Sequence, residues 1–243
     1  MFSPVPPAFV FGGKSVGYSD EEEMMKALLA EFIGTFALIF VGVGAIAADH
    51  MTGGGLGLVG IALAHGLTIA VMVSATAAVS GGHINPAVTV GAFLAKKIAA
   101  GPAAGYIVAQ CLGGIVAAAL IRLCMPADAL QAVGMGTPAL GSGITVSQGL
   151  VTEIILTFFL MFAVYSTAMD KRAPKVGGLF IGLTVALDIM MGGPITGAAM
   201  NPARHLGPAL LGGGTQNLWL YWVGPIIGSS LAAMIYYRFL EER

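Results

Sequence analysis

The chain has 243 residues, 57% of them hydrophobic and only 9% charged, with a formal net charge of −1. A soluble domain carries about a quarter charged residues, so this composition excludes an ordinary water-exposed globule, and the near-neutral balance excludes a nucleic-acid footprint. Mean hydropathy is +0.88. The two cysteines, Cys111 and Cys124, make neither a disulfide framework nor a metal site and read as small packed residues. Thirty-six glycines suit helices that approach one another closely inside a membrane.

Residues 1–23 contain Pro and Gly and then the acidic run Asp20, Glu21, Glu22 and Glu23. They lack the charged-then-apolar order of a cleavable signal and are expected to form a cytoplasmic tail before a membrane domain over 24–243. A spanning helix needs about 20 apolar residues. Six stretches qualify, near 27–48, 57–79, 102–123, 147–169, 176–193 and 218–239. Two further apolar segments, near 85–96 and 201–211, are too short to cross and are expected to reach about halfway. Irregular backbone at that depth must be buried in protein or line a water-filled cavity.

The basic residues orient the chain. Lys14, Lys26, Lys96, Lys97, Lys171, Arg172, Lys175, Arg238 and Arg243 fall on one side of a six-span arrangement. Arg122 falls on the other, and Arg204 lies in a short segment. The positive side is normally cytoplasmic, which places both termini inside.

The sequence also repeats itself. Ala30-Glu31-Phe32-Ile33-Gly34-Thr35-Phe36 resembles Thr152-Glu153-Ile154-Ile155-Leu156-Thr157-Phe158, and Gly66-Leu67-Thr68-Ile69-Ala70 resembles Gly182-Leu183-Thr184-Val185-Ala186. Asn85-Pro86-Ala87 recurs as Asn201-Pro202-Ala203, and Tyr106 to Gly113 resembles Tyr221 to Gly228. The four matches come in order at nearly constant spacing, which marks a duplication with repeats over about 24–123 and 147–240. Each half holds three spans, an odd number, so the halves insert with opposite polarity. Such inverted repeats place a site near the midplane, where broken helices meet.

Asn is a favoured helix N-cap and Pro a favoured first helical residue, so each Asn-Pro-Ala is a helix start. The duplication brings two such starts together from opposite sides with their positive dipole ends facing. A cation meets a barrier there. The amides of Asn85 and Asn201 can donate to one passing water, whose own hydrogens then point away from the centre and break a proton relay.

The stretches Ser80-Gly81-Gly82-His83-Ile84-Asn85-Pro86-Ala87-Val88-Thr89 and Gly197-Ala198-Ala199-Met200-Asn201-Pro202-Ala203-Arg204 resemble the signatures of the aquaporins, or major intrinsic proteins, as do Glu31 with its neighbours and Gln110. The resemblance runs from about residue 24 to 240. It implies an all-α membrane protein: six tilted spanning helices plus two re-entrant half-helices in an inverted repeat, packed as the family's right-handed bundle. It further implies one pore per subunit and a homotetramer in the bilayer. By their spacing to the asparagines, the family's constriction falls on His65, Ile189, Ala198 and Arg204. That set is similar to the filters of plant tonoplast intrinsic proteins. The implied function is passive passage of water, with ammonia, hydrogen peroxide and urea as further expected cargo, and exclusion of protons and ions. A glycerol or polyol facilitator of the same family is the alternative. Its members usually carry Asp, a basic residue and Pro-aliphatic where this chain has His205, Ala209 and Tyr221-Trp222; His205 also departs from the Ser common in water channels.

Glu31 and Glu153 hold equivalent repeat positions, and the family implies that they brace the half-helix loops as structural support. Asp188 is expected to face a polar partner on a neighbouring helix, with a place in the outer pore as the other reading. His83 is expected to fix its loop rather than gate. Asp49, His50 and Asp128 are expected to face water. No nucleophile–base pair, metal cluster or phosphate-cradling loop occurs, so no enzyme, catalytic residue, metal or cofactor is expected. The choice between plasma membrane and vacuolar membrane stays open.

Overall fold

The computed structural model describes residues 18–174 and 176–242. Lys14, Lys175 and Arg243, used above for orientation, lie outside the described residues. The described chain is helical: α1 (Tyr18–Met51), α2 (Gly57–Ser80), α3 (Pro86–Leu94), α4 (Ala100–Cys124), α5 (Ala127–Ala132), α6 (Val146–Val164), α7 (Gly177–Thr196), α8 (Pro202–Pro208) and α9 (Leu220–Ile235). Wider helical turns extend α6 through Met169 and α9 through Leu240. Six helices are long and apolar enough to cross a membrane, namely α1, α2, α4, α6, α7 and α9. With six crossings, the two ends of the described chain lie on one side.

The observed limits refine the expected ones. The first helix is already formed at Tyr18, ahead of the apolar stretch that begins near 27. Its 34 residues reach about 51 Å, well beyond a ~30 Å hydrocarbon core. Asp20 and Glu21 in its first turn complement the positive helix end, so the acidic run that read as a tail is continuous with the span. At the far end, Asp49 does more than face water: its Oδ1 accepts the backbone N–H of Leu56 at 2.9 Å and Gly57 at 2.7 Å and closes the turn into α2. His50 and Asp128 are exposed, as expected.

Packing follows the duplication. Helix α1 lies on α4, α6 lies on α9, and α2 meets its own counterpart α7. The half-helix α3 packs on α9, and α8 packs on α4, so each repeat's half-helix docks on the other repeat's third span. Glycine makes the α2–α7 approach possible. A Cβ on Gly182 would stand 2.2 Å from the Gly66 carbonyl oxygen, and one on Gly66 would stand 2.5 Å from that of Gly182. Small residues let backbones touch where lipid supplies no hydrophobic drive between helices.

On the side of the chain ends, side chains strap the last helix to two loops. Lys97, just past α3, pairs with Glu241, whose other oxygen accepts the Tyr165 hydroxyl at 2.8 Å. Arg172 grips Asp170 with Nε at 3.0 Å and Nη2 at 2.5 Å, and also donates to the Leu240 carbonyl at 2.8 Å. The Arg172 guanidinium holds the Asp170 carboxyl well below the usual aspartate range.

Gly182→Val is expected to cost about 1–3 kcal/mol by overpacking the helix contact, read as a lower midpoint in heat-and-filter size-exclusion chromatography of the detergent-solubilised protein. For Asp170 the folded pKa lies below the unfolded one, so its stabilisation is complete above the unfolded value and is lost only as pH falls through the folded value. Asp170→Asn should therefore lower the unfolding midpoint equally at pH 5 and pH 8.

The candidate pore

The two half-helices start where the sequence placed them. Asn85 and Asn201 are the N-caps of α3 and α8, each followed by Pro at the first helical position. Asn85 Oδ1 accepts Ala87 N–H at 2.8 Å, and Asn201 Oδ1 accepts Ala203 N–H at 3.0 Å. The two amides also cross over. Asn85 Nδ2 donates to the Met200 carbonyl and Asn201 Nδ2 to the Ile84 carbonyl, both at 2.9 Å. Each amide nitrogen has two hydrogens. One ties the halves together, and the second remains for whatever occupies the space between them.

The residues before the asparagines are unusual. Ile84 and Met200 have φ of 54° and 51°, the left-handed region that costs a bulky side chain of order 1–3 kcal/mol. Both are held at each end. The Ile84 N–H donates to Glu31 Oε2 at 2.6 Å, and the Met200 N–H donates to Glu153 Oε2 at 2.8 Å. Their carbonyls are the ones the opposite asparagines hold. The strain is thus fixed by four hydrogen bonds that aim two carbonyls across the midplane.

The buried carboxylates complete this scheme. Glu31 accepts the Ser80 hydroxyl at 2.7 Å, the His83 N–H at 2.8 Å and Gln110 Nε2 at 2.7 Å, besides Ile84. Glu153 accepts the Thr196 hydroxyl at 2.7 Å and the Ala199 N–H at 2.9 Å, besides Met200. Tyrosines latch the same loops: Tyr106 donates to the Ser80 carbonyl and Tyr221 to the Thr196 carbonyl, both at 2.9 Å. The four backbone N–H groups among these donors, of His83, Ile84, Ala199 and Met200, are ones that two broken helices leave free, and inside a membrane they have no water to turn to.

A cavity runs past both motifs. His65, His83, Asn85, Asn201 and Arg204 give it a polar side, and Leu38, Ile69, Val73, Val88, Leu160, Val164, Ile181, Val185 and Ile189 give it an apolar one. All four expected constriction residues, His65, Ile189, Ala198 and Arg204, line it. Arg204 is only 5% exposed, and two acceptors hold its guanidinium. Nη1 donates to the Gly136 carbonyl at 2.8 Å, and Nη2 lies 3.4 Å from His65 Nε2. His65 Nδ1 lies 2.9 Å from the Ile61 carbonyl, which can only accept, so Nδ1 carries the proton and Nε2 faces Arg204 as an acceptor. Gly42 leaves the room that this ring fills, since a Cβ there would lie 2.4 Å from Nε2.

Three findings go beyond the sequence reading. The loop between α4 and α6 lacks a polar side chain for the constriction but supplies the Gly136 carbonyl, presented by the left-handed turn at Met135 and Gly136. The only advance signal was the glycine–methionine–glycine run itself. His83 lines the cavity while its Nδ1 meets the Thr89 hydroxyl at 3.1 Å, so it both ties its loop and faces the passage. Asp188 departs from expectation. It is buried, stands outside the cavity lining, and its Oδ2 has no hydrogen-bond partner among the described residues, so the expected polar partner is not found. Nothing in the structure explains the carboxyl there. Among the described residues no cluster of His, Cys, Asp or Glu is arranged to hold a metal ion.

Glu153→Ala would orphan two backbone N–H groups and a hydroxyl, at about 1–3 kcal/mol each. The expected result is a collapse of the monodisperse peak well below the melting temperature of the unaltered protein. Glu153→Gln keeps a carbonyl acceptor and should melt between the two.

Comparison with known proteins agrees with this geometry. The family model described as major intrinsic protein matches residues 19–236. The chain is 47% identical over 220 residues to "Aquaporin TIP4-4" of Zea mays, covering 87% of this chain and 85% of that one. It is 45% identical over 236 residues to "Probable aquaporin TIP3-2" of Arabidopsis thaliana, covering 90% and 86%. The fold superimposes on the X-ray structure of the aquaglyceroporin from Plasmodium falciparum with a TM-score of 0.79 at 24% identity, covering 89% of this chain and 97% of that one. A duplicated six-span bundle with two opposed half-helices, matched by the family model along nearly its whole length, makes this chain a member of the major intrinsic protein family, a multi-pass integral membrane protein.

Proposed function

We propose that the protein is a passive transmembrane channel for water that excludes protons and ions. The observation that carries this is the pair of asparagines at the start of two opposed half-helices, each with one amide hydrogen committed to the other half and one left for the cavity. A water at that point accepts from both amides, so both of its hydrogens turn toward its neighbours and neither toward the centre. The facing positive helix ends repel cations at the same place. The apolar wall offers no competing partners, which keeps passage fast and single-file.

In this reading His65, Ile189, Ala198 and Arg204 form the selectivity filter. Arg204 keeps its charge and rejects cations, while its remaining donors and His65 take up the hydrogen bonds a solute loses on leaving bulk water. Ile189 and Ala198 leave a wider opening than a bulky aromatic would, which admits ammonia, hydrogen peroxide and urea. Glycerol is the weaker reading, because Ala209 and Tyr221-Trp222 stand where the family's glycerol channels carry a basic residue and Pro-aliphatic. The positive loops favour a cytoplasmic position for both termini. Large apolar side chains such as Leu67, Val71, Val108 and Leu112 cover the outer faces of the spans and suit both lipid and neighbouring copies in a homotetramer. No step here calls for catalysis or a cofactor.

Stopped-flow light scattering on proteoliposomes tests the reading. An impermeant osmolyte should shrink them much faster than empty vesicles, and no difference would sink the proposal. Arg204→Ala should keep fast shrinkage while raising re-entry of urea and glycerol severalfold; unchanged re-entry would remove Arg204 from the filter.

A further inference from the structure

The two halves brace their loops differently, and the difference centres on His205. In the first half, residue 89 is a threonine whose hydroxyl accepts Gln110 Nε2 at 3.0 Å, and the same nitrogen donates to Glu31. In the repeat alignment Thr89 corresponds to His205, Gln110 to Pro225 and His83 to Ala199. The second half therefore has no amide in the place of Gln110 and no imidazole in the place of His83. Its bracing carboxylate keeps three donors where Glu31 has four.

His205 fills that region without using its polar edge. The side chain is completely buried, and neither ring nitrogen has a hydrogen-bond partner among the described residues. The Pro138 carbonyl lies alongside but outside hydrogen-bond geometry. Burying such groups unpaired costs about 1–3 kcal/mol. What the ring does make is a close stack on Tyr221, with centroids 4.1 Å apart and planes at 14°. Tyr221 donates to the Thr196 carbonyl, and the Thr196 hydroxyl in turn accepts the Ala198 N–H at 3.0 Å. His205 also directly follows Arg204 in α8. The stack thus connects two filter residues of the second loop: Arg204 through the helix backbone, and Ala198 through Tyr221 and Thr196.

We propose that His205 is a positioning residue for the selectivity filter and acts through the flat face of its ring, clamped on Tyr221, to fix the separation between Arg204 and Ala198. In the first half the Gln110 hydrogen bonds do the equivalent work. The proposal rests on the filter reading given above and adds the residue that sets the aperture from behind, outside the cavity.

The test compares His205→Phe, which keeps a planar ring and discards the polar edge, with His205→Asn, which keeps polar atoms near the backbone and discards the ring. Water permeability and the urea-to-water permeability ratio are measured in proteoliposomes, and thermal stability in detergent. The phenylalanine variant is expected to keep the ratio of the unaltered protein and to melt higher. The asparagine variant is expected to keep water permeability but raise the ratio severalfold. Tyr221→Leu should raise the ratio too, and adding His205→Asn to it should bring little further change, as expected of two groups acting through one contact. A phenylalanine variant that leaks like the asparagine one would overturn the proposal, because the polar edge would then be what matters. Equal ratios in all variants, with water permeability intact, would overturn it while leaving the channel reading in place. Loss of water permeability in the unaltered protein would defeat the channel reading and this one with it.

Discussion

A helix that stops halfway across a bilayer leaves free backbone N–H groups where there is no water to receive them. The structure depends on how that cost is met. Two buried carboxylates, Glu31 and Glu153, each gather the donors of one broken segment, and two crossed asparagine amides gather the carbonyls. Once these bonds are closed, Ile84 and Met200 can be held left-handed, and the half-helix starts can meet at the centre. The same closure accounts for the duplication. One half alone would bring a carboxylate and a strained loop but no opposite amide to hold its carbonyl. The two halves complete each other, which is why α3 docks on α9 and α8 on α4.

In the proposed channel, selectivity comes from breaking that symmetry in a few positions. Val88 of the first half corresponds to Arg204 of the second, so the guanidinium stands at one end of the passage only. A buried arginine needs acceptors, and here they are a loop carbonyl and the free nitrogen of an imidazole whose proton is committed elsewhere. Neither acceptor is a carboxylate, so the positive charge is held in place without being cancelled by a partner. That suits a barrier to cations better than an ion pair would. The opposite end carries His83, tied to Thr89, and no fixed charge lines the cavity there.

Much of this was legible in the sequence because it depends on local chemistry. The apolar spans and the capping of two half-helices by Asn85 and Asn201 follow from residues near one another in the chain, and the inverted order of the halves follows from the repeat of motifs. The roles of Glu31 and Glu153 were legible only through the repeat and the family resemblance, since their partners lie 43 to 79 residues away. The Gly136 carbonyl was not legible, because a backbone acceptor leaves no residue-type signature and depends on how a loop folds over the bundle. The helical stretch of α1 ahead of its apolar span was not legible, because hydropathy marks where a helix enters lipid, whereas acidic residues let it continue into water. The strap of Lys97, Tyr165, Asp170, Arg172 and Glu241 joins groups far apart in the chain, and no local pattern announces it.

The proposed channel lets water past the crossed amides and opposed helix ends while breaking a chain of protons. It is tested most directly by following the pH inside proteoliposomes with a trapped dye under a pH gradient, with a potassium ionophore to remove any opposing potential. Water permeability is measured on the same vesicles. The expected result is fast osmotic shrinkage together with proton movement no faster than in empty liposomes. Proton entry that rises with the amount of channel protein, alongside fast water flow, would contradict it.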